Sequence, residues 1–163
     1  MTEAETPNEP ITEATQPGFR LVQLTGSYEA FGVAMDYLSR IEPFANYYLG
    51  NFSRAVREQL TSGHHIAAVD GRKLVGYCAW LATDRNTAER WAEGSGTLVA
   101  NPRPGDAVAL TVVAADSRPV LTALIRKARK LNPAVRVYFK REYADGRRPS
   151  RKTAVANLTP AST

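Results

Sequence analysis

The sequence predicts one mixed α/β domain: a central sheet flanked by helices, with a flexible arm at each end. Three observations carry that reading. Apolar residues recur at helical spacing in three separate stretches, an Asp-Gly pair joins two apolar runs, and two later runs have strand patterns. In order these give α-α-β-β-α-β-α-β, a plan in which helices pack on a sheet. At 163 residues and 44% hydrophobic content the chain is long enough for one buried core.

Residues 1 to 17 are rich in Thr, Glu and Pro, a composition that buries too little apolar surface to offset its ordering entropy. They are expected to form an acidic arm, and the stretch from Gly146 to Thr163 a basic one, leaving a domain over residues 18 to 145. Phe31, Ala34, Met35 and Leu38 recur at helical spacing behind Ser27, which can cap that helix. Tyr48, Phe52, Val56 and Leu60 repeat every fourth residue and predict a second helix over about 46 to 61, stopped at Gly63.

In HHIAAVDGRKLVGYCAW the pair Asp70-Gly71 predicts a two-residue hairpin turn, with Val69 opposite Arg72. That register puts His64 opposite Tyr77 and His65 opposite Gly76. It also places His65, Val69, Leu74, Cys78 and Trp80 on one face, with His64 on the other. Asp84 then caps a short helix to about Ala92, with Arg85, Glu89 and Arg90 outward. After a loop with Pro102, Pro104 and Gly105, DAVALTVVAAD predicts a strand buried on both faces. Val120, Leu121, Leu124, Ile125 and Ala128 form the apolar side of a helix whose outer side is basic, ended by Asn132-Pro133. AVRVYFKREY alternates as a last strand with one wetter face.

The formal charge of +5 belongs to the C-terminal third, since the first 16 residues hold four Glu and no Lys or Arg. A basic face fits acidic partners such as nucleic acid, an anionic membrane or an acidic carrier protein. The basic tracts have no interleaved aromatics and no docking motif, so nucleic acid is not the expected partner. A single cysteine, an acidic start without an apolar core and the absence of a run of about 18 apolar residues point to a cytoplasmic protein without a transmembrane segment.

His65 and Cys78 on one face could form a nucleophilic pair, but a cysteine on an apolar strand is the mark of a core position. Adjacent histidines on a strand point to opposite faces, so no metal site is expected. There is no GxGxxG, no Walker-type loop and no Ser-centred elbow.

Several residues resemble the RTX toxin-activating lysine acyltransferase family over roughly residues 31 to 145. They are Phe31-Gly32 opening the first helix, the hairpin ending GYCAW, Gly105-Asp106, the buried strand with its Ala-Ala-Asp turn, and the basic helix before the last strand. The resemblance implies a GNAT-like fold, homo-oligomers, and transfer of a fatty acyl chain from acyl carrier protein to lysines of a protoxin. It also implies a histidine after the first helix and an aspartate on the buried strand, the pair that handles the lysine proton.

Counted without gaps, those two positions fall on Phe44 and Val112, neither of which can accept a proton. Glu42 and Asp106 are the nearby carboxylates that could substitute. The expectation is therefore a diverged, non-catalytic protein-binding or assembly subunit with no cofactor. One alternative is an active lysine acyltransferase, with acyl carrier protein as donor, held by Arg126, Lys127, Arg129 and Lys130. A second alternative is a basic module for nucleic acid or a membrane surface.

Overall fold

The computed structural model describes residues 18–100, 105–140 and the backbone of 154–156. Six strands form one sheet in chain order: β1 (Arg20–Val22), β2 (His65–Asp70), β3 (Lys73–Thr83), β4 (Ala107–Ala115), β5 (Arg136–Phe139) and β6 (Ala154–Ala156). Only β4 and β5 run parallel; every other neighbouring pair is antiparallel. Helices α1 (Tyr28–Leu38) and α2 (Leu49–Ser62) cover one face of the sheet. Helix α4 (Arg118–Leu131) covers the other, and α3 (Arg85–Glu93) packs beside β5.

Local chemistry explains the helix ends. The Ser27 hydroxyl accepts from the Ala30 N–H at 3.1 Å and the Asp84 carboxylate from the Thr87 N–H at 2.9 Å, each satisfying a donor that the first turn leaves unpaired. Gly63 closes α2 in the left-handed conformation at φ 73°, which a residue with a Cβ adopts only under strain. The second helix starts later than its spacing predicts, because Phe44–Asn46 forms a separate turn of 3-10 helix and Tyr48 is the N-cap. Tyr48 is 91% exposed, so the buried stripe of α2 begins at Phe52.

The Asp-Gly hairpin is present, but its register differs from the expected one. Asp70 pairs with Lys73, so the turn residues are Gly71 and Arg72. Val69 pairs with Leu74 and Ala68 with Gly76, which leaves Val75 as an extra residue in β3. Beyond that bulge His65 lies opposite Ala79. The bulge also turns both Val75 and Gly76 toward α4: a Cβ on Gly76 would lie 2.5 Å from Val120 Cγ1, so α4 rests directly on the backbone there. The alternation is therefore reset between Leu74 and Tyr77. Cys78 and Trp80 pack under α4, while His65, Val69 and Leu74 face α1 and α2.

A second bulge lies in β4. Ala79 pairs with Val112 and Trp80 with Leu110, leaving Thr111 extra. Thr111 and Val112 consequently both turn toward the α1/α2 layer, where Thr111 meets Gln59 and Val112 joins the core. The wetter face expected on the last strand is covered: Tyr138 is buried against Ala88 of α3, and its hydroxyl donates to Glu89 at 3.0 Å.

The arm expected over residues 1–17 lies outside the described residues. So does the basic tail expected from Gly146, except Ala154–Ala156, which pairs with β5 as β6 rather than remaining apart from the sheet.

Candidate functional site

Strand β4 pairs with β5 only over Ala107–Leu110. From Thr111 onward no described strand lies on that side, and β5 ends at Phe139. The gap opens as a cleft of about 430 Å³ that reaches both helical layers. Phe44 and Tyr47 line it from the α1–α2 connection, Leu121 and Ile125 from α4, and Leu110, Val113 and Phe139 from the strand ends. Trp91 closes one side, with the Lys140 ammonium 4.4 Å from the centre of its ring. A volume in this range, walled mainly by apolar side chains, suits a small ligand or an acyl chain.

The two positions where the resemblance implies a proton-handling pair are both apolar and packed. Phe44 stacks on Phe52 at 5.8 Å and meets Tyr47 edge-on at 5.6 Å, forming an aromatic wall of the cleft. Val112 is 2% exposed and points away from the cleft into the core under α1 and α2. Of the possible substitutes, Glu42 does line the cleft, with its carboxylate held by the Asn46 side-chain amide at 2.6 Å. Asp106 is elsewhere: it accepts from the Arg85 N–H at 2.8 Å and serves the start of α3. Asp116, at the end of β4, accepts from the Tyr37 hydroxyl at 2.9 Å.

Helix starts after a strand often cradle diphosphates, by way of a glycine-rich turn and free N–H groups. The turn between β4 and α4, Asp116-Ser117-Arg118-Pro119, contains no glycine, carries a carboxylate and loses one N–H at Pro119. These residues do not fit a nucleotide-borne diphosphate.

The hairpin histidines and the cysteine are not brought together for chemistry. Cys78 is fully buried under α4, on the opposite face from His65, and desolvation pushes its thiol up to about 12, so it stays protonated and unreactive. His65 is a structural residue. Its Nε2 accepts from the Leu24 N–H at 2.9 Å and its Nδ1 donates to the Gln59 carbonyl at 3.1 Å, which ties the link between β1 and α1 to the end of α2. Burial pulls its pKa below the ordinary histidine value.

His64 lines a second cavity of about 270 Å³, its ring 6.2 Å from that of Trp80. β2 begins opposite Ala79 and the Trp80 N–H still donates to the His64 carbonyl at 3.0 Å, so β3 lacks a described strand partner on that edge from Leu81 onward, and this edge forms one wall. Ala55, Glu58 and Gln59 of α2 form another, and Leu98 and Ala100 a third. Leu98 and Thr111 line both cavities. This cavity has no sequence signal, because it depends on where β2 stops and where β4 bulges.

Arg126, Lys127, Arg129 and Lys130 are exposed along the outer side of α4, as the amphipathic pattern predicts. Leu121 and Ile125 of the same helix face the cleft, so the basic surface adjoins it. Among the described residues, no three His, Cys, Asp or Glu side chains lie close enough to hold a metal ion, and no helix is long and apolar enough to cross a membrane.

No family model matches this chain, and no curated protein matches it in sequence. Solved structures do match in shape. A mosquito arylalkylamine N-acetyltransferase like 5b superposes with TM-score 0.54 at 12% identity, over 75% of this chain and 76% of that one. The loading GNATL domain of CurA from Lyngbya majuscula gives TM-score 0.53 at 12% identity, over 76% of this chain and 65% of that one. At such identities the likeness is one of fold. The chain has a GNAT-like fold.

Proposed function

We propose that this chain is a diverged relative of the toxin-activating acyltransferases that binds an acyl chain in the cleft between β4 and β5 and acts as a protein-binding or assembly subunit without general-base catalysis. The observation behind this reading is the state of the two proton-handling positions. Phe44 is built into the aromatic wall of the cleft and Val112 into the core behind it, so both are packed as apolar residues. The cleft itself remains open and largely apolar. An acyl group delivered by a protein suits this site better than one on a nucleotide, because the turn before α4 offers no diphosphate cradle. The basic side of α4 next to the cleft would receive an acidic carrier protein.

A second reading rests on Glu42, whose carboxylate lines the cleft beside Phe44. A carboxylate there could take a proton from an attacking amine, and alignment of donor and acceptor would contribute the rest. In that case the chain is an active lysine acyltransferase.

Native mass spectrometry of the full chain with long-chain acyl carrier protein separates the two. The first reading expects a 1:1 complex in which the carrier keeps its acyl group, weakened by charge reversal at Lys127 and Lys130. Loss of the acyl group in the presence of a lysine peptide, abolished by Glu42→Gln, would establish the second. Absence of any complex at low salt would overturn both.

A further inference from the structure

We propose that the tip of the α1–α2 connection, Tyr47-Tyr48-Leu49, docks the chain on an anionic lipid bilayer with the mouth of the cleft toward the lipid. Three consecutive large apolar side chains are exposed there, at 41%, 91% and 71%. Single apolar residues on a surface are ordinary, but a run of three at one tip makes a patch. The fold gives no reason for the last two. Tyr48 is the N-cap of α2 and makes no side-chain capping bond, at a position where Ser, Asp or Asn would stabilise the helix. Leu49 opens the helix with its side chain in solvent.

The patch leads into the cleft. Tyr47 meets Phe44 edge-on at 5.6 Å and Phe52 at 5.2 Å, and both Tyr47 and Phe44 line the cleft, so apolar surface runs inward from the tip.

Charge decides what covers it. From Pro43 to Arg57, the segment that holds the tip, there are two arginines and no Asp or Glu. From Ser117 to Lys140, which spans α4 and β5, there are seven Lys or Arg and again no carboxylate. On α4, Arg118 stands three residues before Leu121 and Arg129 four after Ile125, so these two exposed arginines flank the cleft-lining side of the helix. The one carboxylate in the cleft lining, Glu42, is held by the Asn46 amide at 2.6 Å. An aromatic, apolar tip beside a basic surface free of acids suits an anionic bilayer: the side chains enter the headgroup region and the cations meet the lipid charge. A nucleic acid would engage the arginines and leave Leu49 in water, and the carrier protein is received on the outer row of α4, at Lys127 and Lys130. The use of this contact, exchange of an acyl chain between lipid and cleft, rests on the acyl reading of the cleft; the contact itself does not.

The experiment is sedimentation of the full chain with vesicles in the absence of carrier protein. Phosphatidylcholine vesicles are compared with vesicles of equal parts phosphatidylcholine and phosphatidylglycerol. Partition onto the anionic vesicles should be at least about tenfold stronger and should fall as salt rises. Tyr48→Ser combined with Leu49→Ser should weaken it by about tenfold or more. Arg118→Gln combined with Arg129→Gln should weaken it by about tenfold. The tip variant should keep its complex with acyl carrier protein. A polarity-sensitive dye on Leu49→Cys should shift to the blue on anionic vesicles, and the same dye on Ser62→Cys, at the far end of α2, should not; Cys78 is buried and takes no label.

Vesicle binding without any carrier complex would support the docking surface while overturning the carrier reading. Equal binding to both vesicle types, indifference to the tip substitutions, or equal dye shifts at the two positions would overturn the proposal. So would the absence of vesicle binding in a chain whose tip substitutions weaken the carrier complex or the binding of single-stranded DNA.

Discussion

His65 makes stability depend on pH in a direction the structure specifies. It is fully buried, and its two ring nitrogens have opposite jobs: Nδ1 donates to the Gln59 carbonyl and Nε2 accepts from the Leu24 N–H. Only the neutral imidazole does both, since protonation puts a second hydrogen on Nε2 facing the Leu24 hydrogen. The folded pKa lies below the unfolded one, with burial the first cause. Stability from this group is thus fully present above the unfolded value near 6.5, and is lost as pH falls below it. At pH 5.5 the loss is at most about 1.4 kcal/mol, the limit set by an imidazole that stays neutral in the fold. Urea unfolding at pH 7.5 and 5.5 should show a loss of stability up to that limit in the parent and little of it in His65→Phe. At pH 7.5 the variant itself should lose about 1–3 kcal/mol, the cost of leaving the Leu24 N–H unpaired. The Gln59 carbonyl loses little, because it keeps the His64 N–H at 2.9 Å. Equal pH dependence in parent and variant would refute this account.

Two further outcomes follow from the placement of side chains. Cys78, fully buried with its thiol pushed up to about 12, should react with an aromatic disulfide reagent only after unfolding, and the native chain should show no fast phase in a stopped-flow thiol assay. Val112→Asp restores the residue type that the resemblance implies, yet it puts a carboxyl among Leu38, Val56 and Ala79 of the core; denaturation should show a loss of about 3–5 kcal/mol and no gain of acyl transfer. A variant as stable as the parent would show that Val112 has another environment.

Patterns that depend on one segment were legible in the sequence, and those that depend on two were not. The caps Ser27 and Asp84, the stop at Gly63 and the buried run of β4 are local, and the structure contains each of them. The hairpin was legible as a hairpin but not in its register, because the extra residue Val75 is defined only by what β2 places opposite. That single bulge is why His65 and Cys78, expected together, lie on opposite faces. β1 and β6 were missed because three residues are too short for periodicity to mark. At the site, the sequence singled out Phe44 only through the resemblance and Glu42 as a carboxylate near it, and both line the cleft. The cleft was not, since it arises where β5 stops pairing with β4.

Thr111 connects these features physically. It is the only polar residue in AVALTVVAA, and a hydroxyl in a buried strand needs a partner. The β4 bulge turns Thr111 toward α2, where Gln59 meets it at 2.6 Å, and the same residue lines both the cleft and the second cavity. A valine at this position would fill the strand without requiring any partner, and Gln59 could then be apolar as well. What the pair supplies is a hydrogen bond between two layers, the Gln59 amide of α2 donating to the hydroxyl that the β4 bulge turns toward it at 2.6 Å.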